Sequence, residues 1–469
     1  MHAFQKLSEQ IKQKNSRVIL GLDPTEDQLN LDFLKGLVDA CAPHIVGIKP
    51  NLPFYENGAR NVLADIMLYA KEKYPELVRI LDMKRGDIAD TQKRYVVADI
   101  ANFHPEVVIV NPYMGQTDTI KPYLDADPNI CVFALASTSN SDTRIQNLYS
   151  EGLQVYQHMA LEVRKADPAR VGLVVGCTKP ESAANIRAAE LENGYAPENT
   201  AWFLAPGFGK QGGDLSFVKR AGPNAVYPVS SGLTNPKYLN GLTPGQAAEK
   251  WKNDINAASA GGYDMKSMSE LFVEDLVGCG ILKLAPGADE STWFKLKSGA
   301  MSPLYWDARA IQSHPKLLET ASYLMSKKLR DAIGADNVQS IAAVPYGALG
   351  LGFGVARDLK KPVITPRKEG AKDHGDKREI VGNRFDTALI IEDVATSGAS
   401  TLETFAQLKE NDIAVSHAIV LIDREQGARE KLSASGITLH SVLTQNEAIK
   451  KLAADHPMRG VVLEYLKNN

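Results

Sequence analysis

The run Leu81-Asp82-Met83-Lys84-Arg85-Gly86-Asp87-Ile88 interleaves carboxylates with cations. On an extended strand alternate side chains share a face, so Asp82 and Lys84 are predicted to point the same way. Gly86 permits a turn that leaves Asp87 just past the strand end. Lys49 closes an earlier apolar run and approaches from one side. The predicted product is an alternating cluster of Lys49, Asp82, Lys84 and Asp87 in a confined space. A buried carboxylate there repels a second negative charge on a substrate. The neighbouring ammonium groups stabilise a developing carbanion and then protonate it. A solvated ion-pair network without chemistry is the competing reading. No Cys/His metal spacing lies nearby, so this chemistry is predicted to be cofactor-free.

A second set of reactive types follows an apolar run at 388–391. Glu392 and Asp393 end that run, and Thr396-Ser397-Gly398-Ala399-Ser400-Thr401 then opens a helix. Such a loop wraps a phosphate with N–H and O–H donors at the helix's positive end. The two carboxylates suit ribose hydroxyls, or Mg²⁺ through water. A generic strand-to-helix turn with hydroxyl caps is the alternative. Upstream, Arg367, Lys368, Lys372 and His374 form a Gly-containing charged segment. It suits a leaving pyrophosphate and a loop that closes over substrate; by itself it also reads as a solvated loop.

These residues need elements to carry them. Eight short β-rich apolar runs, at 17–23, 44–50, 78–84, 107–113, 130–138, 171–177, 201–207 and 225–232, alternate with helical stretches. Buried-type strands in that rhythm imply parallel βαβ units, and eight of them imply a (β/α)8 TIM barrel. Polar residues sit at the C-terminal end of strand after strand: Asp23, Lys49 with Asn51, Asp82 with Lys84, Asn111, and Ser139 with Asn140. A barrel carries its active site at that face. An open doubly wound sheet is the other arrangement compatible with the pattern. The segment 256–263 (NAASAGGY) reads as a linker. Beyond it, runs at 340–345, 362–367, 388–392, 418–423 and 439–443 predict a smaller, mainly parallel α/β sheet. The expected boundaries are 1–258 for the barrel, 259–268 for the linker and 269–469 for the second domain.

Composition excludes several classes. The chain has 469 residues with 53 Lys+Arg and 56 Asp+Glu, a formal charge of −3, and is 44% hydrophobic and 23% charged. Those are globular proportions, and without a basic block nucleic-acid binding is not expected. No apolar run approaches the roughly 18 residues a membrane span needs. The first residues are polar and amphipathic, unlike a signal peptide. Cys41, Cys131, Cys177 and Cys279 are far apart in sequence, which suits reduced thiols. The expected compartment is the cytoplasm.

With these residues in view, DMKRGDIADT resembles the active-site segment of orotidine 5′-monophosphate decarboxylases, D-x-K-x-x-D-I-x-x-T. The resemblance runs over roughly residues 1–258 and includes Gly21-Leu22-Asp23, Lys49-Pro50-Asn51 and Thr138-Ser139-Asn140. It implies that Asp82, Lys84 and Asp87 are the catalytic charges, that Lys84 protonates C6 after CO₂ leaves, and that Lys49 completes the network. It implies that Asp23 and Asn51 hold the ribose and that Ser139 faces the pyrimidine. Asp87 and Thr91 would reach a neighbouring subunit's site, which implies a homodimer. Gly207-Phe208-Gly209-Lys210-Gln211-Gly212-Gly213 resembles the family's phosphate loop, with Gln211, Gly212 and Gly213 at the phosphate. One departure stands out: Ser231 occupies the place of the family's phosphate-binding arginine, so bidentate charge-assisted bonds are lost there. Lys210 and Lys237 are the nearby cations.

Residues 388–401 resemble the phosphoribosyl pyrophosphate motif of type I phosphoribosyltransferases. Three further segments resemble orotate phosphoribosyltransferase. These are Phe294-Lys295-Leu296-Lys297-Ser298-Gly299 with Tyr305-Trp306-Asp307-Ala308-Arg309, the loop Arg367-Lys368-Glu369-Gly370-Ala371-Lys372-Asp373-His374-Gly375, and Asp423-Arg424-Glu425-Gln426-Gly427. The likeness covers about residues 269–469, with one extra residue at Gly370-Ala371. It implies substrate contacts from Lys297, Tyr305, Arg367, Lys368, Glu392, Asp393, Thr396, Ser397, Gly398, Ala399, Ser400 and Arg424. It places Lys372 and His374 at the pyrophosphate. Mg²⁺ would be bound through phosphoribosyl pyrophosphate and bridged by water to Asp393. Together the halves resemble the bifunctional UMP synthase family with the decarboxylase first. The implied partners are orotate, phosphoribosyl pyrophosphate, orotidine 5′-monophosphate and UMP. Two other readings remain: a barrel with another sugar-phosphate lyase activity, and a nucleotide-sensing second domain without chemistry.

Overall fold

The computed structural model describes residues 1–140, 142–296, 299–367 and 379–468. The chain divides into two compact units, Met1–Leu148 with Gln154–Ser267, and Tyr149–Leu153 with Met268–Asn469. The short segment Tyr149–Leu153, inside the predicted barrel by sequence, therefore groups with the second unit.

In the first unit all eight apolar runs contain strands, seven of them shorter than the run and the third one residue longer at its end. They are β1 (Val18–Leu22), β2 (Gly47–Pro50), β3 (Val78–Arg85), β4 (Val107–Val110), β5 (Cys131–Ser137), β6 (Val171–Val175), β7 (Phe203–Leu204) and β8 (Ala225–Val229). They close in the order β1-β8-β7-β6-β5-β4-β3-β2 with every pairing parallel. The open-sheet alternative is thereby excluded. Alternate residues divide between two apolar layers. Ile19, Val78, Ile80, Ile109, Phe133 and Leu204 fill the interior, while Leu20, Leu81, Val108, Leu173 and Tyr227 meet the surrounding helices. Burial on both faces is why these strands read as continuous apolar runs.

The amphipathic N-terminal segment forms the helix Ala3–Lys14, whose Ala3, Phe4 and Leu7 join the interior layer. The Phe4 ring lies 5.0 Å from Phe133 and 5.7 Å from Trp202. Ala3 N–H donates to the Asn129 carbonyl just before β5, so the helix closes the end from which the strands start. The opposite end is left open.

The linker reading needs correction at its start. The helix Pro244–Ser259 runs through residues 256–259, and Ile255 in its last turns is buried. Thr243 caps this helix, Pro244 begins it, and alanine-rich NAAS favours its continuation. Gly262, at φ +86°, then redirects the chain toward the helix Met268–Gly278.

The second unit holds a six-stranded sheet of β9 (Ile341–Ala343), β10 (Val363–Pro366), β11 (Ile380–Val381), β12 (Leu389–Ala395), β13 (His417–Asp423) and β14 (Thr438–Thr444). The order is β11-β10-β9-β12-β13-β14, parallel except for the antiparallel edge pair β10/β11. β12 continues beyond the predicted end to Ala395, so Glu392 and Asp393 lie within it. Val394 and Ala395 still pair, with Ile422 and Asp423 of β13.

Cys41, Cys131 and Cys177 are buried thiols and Cys279 is exposed; all four are free. Among the described residues, no helix is long and apolar enough to cross a membrane.

Candidate active sites

The open end of the barrel contains a cavity of about 480 Å³. Asp23, Lys49, Asn51, Asp82, Lys84, Ser139, Lys210, Gln211 and Ser231 all line it. Strand alternation explains the entry of Asp82: it follows interior Ile80 by two residues, while Leu81 faces the helices. Lys49 Nζ lies 3.1 Å from Asp82 Oδ2 and 3.8 Å from Asp23 Oδ1. Lys84 Nζ lies 2.6 Å from Asp82 Oδ1. Lys49 and Asp82 are each only 5% exposed.

Burial alone would raise the Asp82 carboxyl, but Lys49 and Lys84 outweigh it and hold the group below its ordinary range. Burial would correspondingly lower Lys49, and the carboxylates of Asp23 and Asp82 reverse the sign and raise it. Opposite charges at contact distance thus beat desolvation in this cluster. Asp23 Oδ1 and Asn51 Oδ1 are buried with no hydrogen-bond partner. They are acceptors of the kind that ligand hydroxyls satisfy.

Lys84 does not arrive by simple alternation. Its φ is +49°, and the β3/β4 register slips between Asp82↔Ile109 and Arg85↔Val110. A left-handed conformation costs a non-glycine residue about 1–2 kcal/mol, a kind of strain that collects at functional sites. Gly86 is required for close approach rather than for a turn. A Cβ there would sit 2.2 Å from the Asn111 carbonyl oxygen.

Asp87 is not part of this cluster within one chain. It does not line the cavity, and its carboxylate accepts from the Ile88 N–H at 2.8 Å. Thr91, on the helix Ala89–Phe103, is likewise outside the cavity lining. The fourth charge is Asp23, whose Oδ2 accepts from Ser230 Oγ at 2.6 Å. The row of charges is therefore Asp23–Lys49–Asp82–Lys84.

At the other end of the cavity the loop after β7 folds back on itself. Gly213 N–H donates to the Gly207 carbonyl, and Gly212 N–H to the Gly209 carbonyl. Gly207, at φ +125°, supplies a conformation few side chains allow. Lys210 and Gln211 line the cavity, whereas Gly212, Gly213 and Lys237 do not. The backbone N–H of Lys210 donates to Ser231 Oγ at 3.4 Å, so the loop runs beside the position lacking an arginine, and Lys210 lines the same cavity. Thr25, Gln28, Phe54, Ser230, Thr234 and Asn235 also line the cavity but were not singled out from sequence. They sit on or beside loops, where hydroxyl and amide side chains are common and no periodicity marks them.

In the second unit Glu392 accepts hydrogen bonds from Ser400 Oγ and Thr401 Oγ1, both at the start of the helix Ala399–Glu410. Gly398, at φ +74°, makes the turn into that helix. Asp393 accepts from the Val394 N–H at 2.9 Å, and a Cβ on Gly347 would lie 2.6 Å from its Oδ2. Burial raises both carboxyls above their ordinary values; Asp393 adds to the effect on Glu392, and Arg309 opposes it for both. Arg424 N–H donates to the Ala395 carbonyl, placing this residue at the same end of the sheet. Its Nε is buried without a partner, and burial lowers the guanidinium while Tyr465 and Tyr305 oppose that shift. Tyr305 is 43% exposed on the strand Leu304–Trp306. The Arg367 carbonyl accepts from Gln407 Nε2 at 3.3 Å. Thr396 and Ser397 are half-buried, and Ala399 begins the helix. Lys297, Lys368, Lys372, His374 and the Gly370-Ala371 pair lie outside the described residues. Arg309, Thr401 and Tyr465 were not among the predicted contacts. Arg309 and Thr401 stood in the quoted segments, but Tyr465 is brought in only by the C-terminal helix.

An oxygen-donor pair suits a hard divalent cation. Among the described residues no three potential metal ligands come together. Glu392 and Asp393 supply two adjacent oxygen donors of that kind, both largely buried.

Residues 16–228 match the Orotidine 5′-phosphate decarboxylase / HUMPS family. The chain is 28% identical over 478 residues to the bifunctional enzyme PyrF/PyrE of Nostoc sp., with 95% of each protein covered. Among solved structures it is similar to UMP synthase of Leishmania donovani along 100% of both chains, with a TM-score of 0.50 and 26% identity. It is 37% identical over 237 residues to orotidine 5′-phosphate decarboxylase of Flavobacterium johnsoniae, covering 47% of this chain and 82% of that protein. With a closed barrel that sets two lysines against one buried aspartate, the chain belongs to the orotidine 5′-phosphate decarboxylase family.

Proposed function

We propose that the two units carry out consecutive steps, with the decarboxylase in residues 1–258 and the transferase in residues 269–469. The chain is a bifunctional enzyme of pyrimidine biosynthesis, an orotate phosphoribosyltransferase joined to an orotidine 5′-monophosphate decarboxylase. The order of the two activities rests on the placement of the Lys–Asp–Lys cluster in the barrel and of the acidic-pair, hydroxyl-rich loop in the second unit.

In the barrel the substrate carboxylate lies against Asp82. Ser139 meets the pyrimidine, Asp23 and Asn51 take the ribose hydroxyls, and Lys210, Gln211 and the Gly212-Gly213 amides take the phosphate. The C6–carboxyl bond breaks, CO₂ leaves, and its bonding pair remains on C6. Lys84 stabilises that pair and then donates a proton to C6; solvent reprotonates the lysine. The single observation that carries this reading is Asp82 held between Lys49 and Lys84, at 3.1 and 2.6 Å. Charges fixed before the reaction need no reorganisation when the carbanion forms.

In the second unit an orotate ring nitrogen displaces pyrophosphate from the anomeric carbon. Arg424 receives the orotate, Glu392 and Asp393 the ribose hydroxyls, and Thr396–Ser400 the 5′-phosphate. Lys372 and His374 are assigned to the departing pyrophosphate. Asp393, with Glu392 beside it, would face Mg²⁺ carried on the substrate, and the ion would supply neutralisation of pyrophosphate charge. We further assign Asp87 and Thr91 to completing the site of a second copy, a homodimer, and the enzyme to the cytoplasm.

The test is a coupled assay. Purified protein with orotate, phosphoribosyl pyrophosphate and Mg²⁺ should yield UMP. Orotate consumed with orotidine monophosphate accumulating would overturn the barrel assignment; unconsumed orotate would overturn the transferase assignment.

A further inference from the structure

The strain at Lys84 must be held by something, and the residues on either side of it show what. Tyr123 and Asp99 lie behind the strand, on the helices Lys121–Ala126 and Ala89–Phe103. Tyr123 Oη donates to Asp99 Oδ2 at 2.7 Å and lies 3.8 Å from Met83 Sδ. Arg85 Nη2 pairs with Asp99 Oδ1 at 3.0 Å, and its guanidinium sits 4.1 Å from the centre of the Tyr95 ring. Asp99 and Tyr123 have no exposed surface. Met83 and Arg85, the two neighbours of Lys84, therefore touch one buried pair. On its other side Arg85 is fixed to β4, where the Asn111 N–H donates to its carbonyl.

We infer that Arg85, Asp99 and Tyr123 are positioning residues for decarboxylation, a clamp that holds the β3 irregularity and so keeps the Lys84 ammonium on Asp82. The clamp touches neither substrate nor the reacting atoms. Without it, the bulge between Asp82 and Arg85 relaxes toward ordinary strand geometry and Lys84 swings off its carboxylate. The same ion pair ties the start of β3's exit loop to the helix Ala89–Phe103, so it also fixes the path of Asp87 and Thr91. A buried pair that spans the reacting lysine and the helix after it does more than fill space.

This inference rests on the decarboxylase reading above, so wild-type turnover of orotidine monophosphate is measured first. Its absence would overturn that reading before any variant is compared. In the full chain, Arg85→Met, Tyr123→Phe and Arg85→Lys are then assayed for kcat, KM, UMP affinity and cooperative melting. A displaced lysine should cost Arg85→Met on the order of ten- to a hundred-fold in kcat, with KM and UMP affinity within about three-fold of wild type. Arg85→Lys should recover part of that loss. A purely structural role would lower the melting temperature and leave kcat of the folded enzyme unchanged; that result would overturn the clamp. Should Arg85→Met fail to fold, Tyr123→Phe decides, since it removes one hydroxyl and keeps the ion pair. Its kcat should fall roughly five-fold, and an unchanged kcat would overturn the inference.

Discussion

Asp82 in the barrel and Glu392 in the second unit are both nearly buried carboxylates at the edge of a predicted site, and they are stabilised in opposite ways. Asp82 touches two ammonium groups and is held below its ordinary range. Glu392 receives two hydroxyl hydrogen bonds, stands beside Asp393, and is raised. Among the described residues neither Glu392 nor Asp393 makes an ion pair. The barrel cluster is electrostatically complete before substrate arrives, as a site must be that stabilises a carbanion by fixed charge. Among the described residues the acidic pair of the second site is met by hydroxyls and by the longer-range field of Arg309, with no ammonium or guanidinium in contact.

The largest test of this contrast is Lys84→Ala. Losing a positioned general acid costs roughly 10²- to 10⁴-fold, so orotidine monophosphate should accumulate while orotate consumption continues. Unimpaired UMP formation by this variant would break the assignment. Next is Asp393→Asn, which should lower transferase kcat/KM by roughly ten- to a hundred-fold, the scale of a hydrogen bond to a charged group. Decarboxylation of added orotidine monophosphate should be unaffected, and equal losses in both activities would defeat the separation of sites. Lys210→Ala is expected to raise KM for orotidine monophosphate roughly ten-fold with a smaller change in kcat. An unchanged KM would mean that the missing arginine is replaced from elsewhere.

The smallest effect is on stability, and it has opposite signs in the two units. The depressed carboxyl of Asp82 stabilises the fold above the ordinary carboxylate range, and that contribution is lost as pH falls through its folded value. The raised carboxyl of Glu392 favours the fold below about pH 4.3, and that contribution is lost as pH rises through its folded value. Thermal unfolding from about pH 7 to about pH 3 should show a shallower acid loss for Asp82→Asn than for wild type. For Glu392→Gln the ligand-free second unit should lose its gain on mild acidification. Unaltered slopes in both variants would show that neither carboxyl carries the stated linkage.

Much of this contrast was legible in the residues. Parallel strands buried on both faces leave continuous apolar runs, so all eight barrel strands and the five main strands of the second sheet were visible, with errors confined to their ends. Asp82 and Lys49 were legible because polar residues at strand C-termini have no packing reason to be there. The exit of Asp87 from its own chain's cavity is not legible, because alternation says nothing of a bulge: the slip at Lys84 and the passage of Gly86 past Asn111 carry the chain outside the lining. Asp23 was named for the ribose but not as part of the charge row, since its approach to Lys49 depends on β1 and β2 being neighbours. The end of the helix Pro244–Ser259 was mistaken for linker because small apolar residues serve both equally well.

By itself, then, the sequence determined the chemical inventory: which carboxylates, ammonium groups and hydroxyl-rich loops exist, and which strand or helix end bears each. Those follow from local periodicity and residue type, which act over a few residues. Only the tertiary structure decided which charges meet. Pairing of β1 with β2 sets Asp23 beside Lys49, register slip turns Lys84 onto Asp82, and the fold-back after β7 brings Lys210 to Ser231. Each of these contacts joins residues brought together by packing of separate elements or by a departure from regular geometry, and neither leaves a periodic mark in the chain.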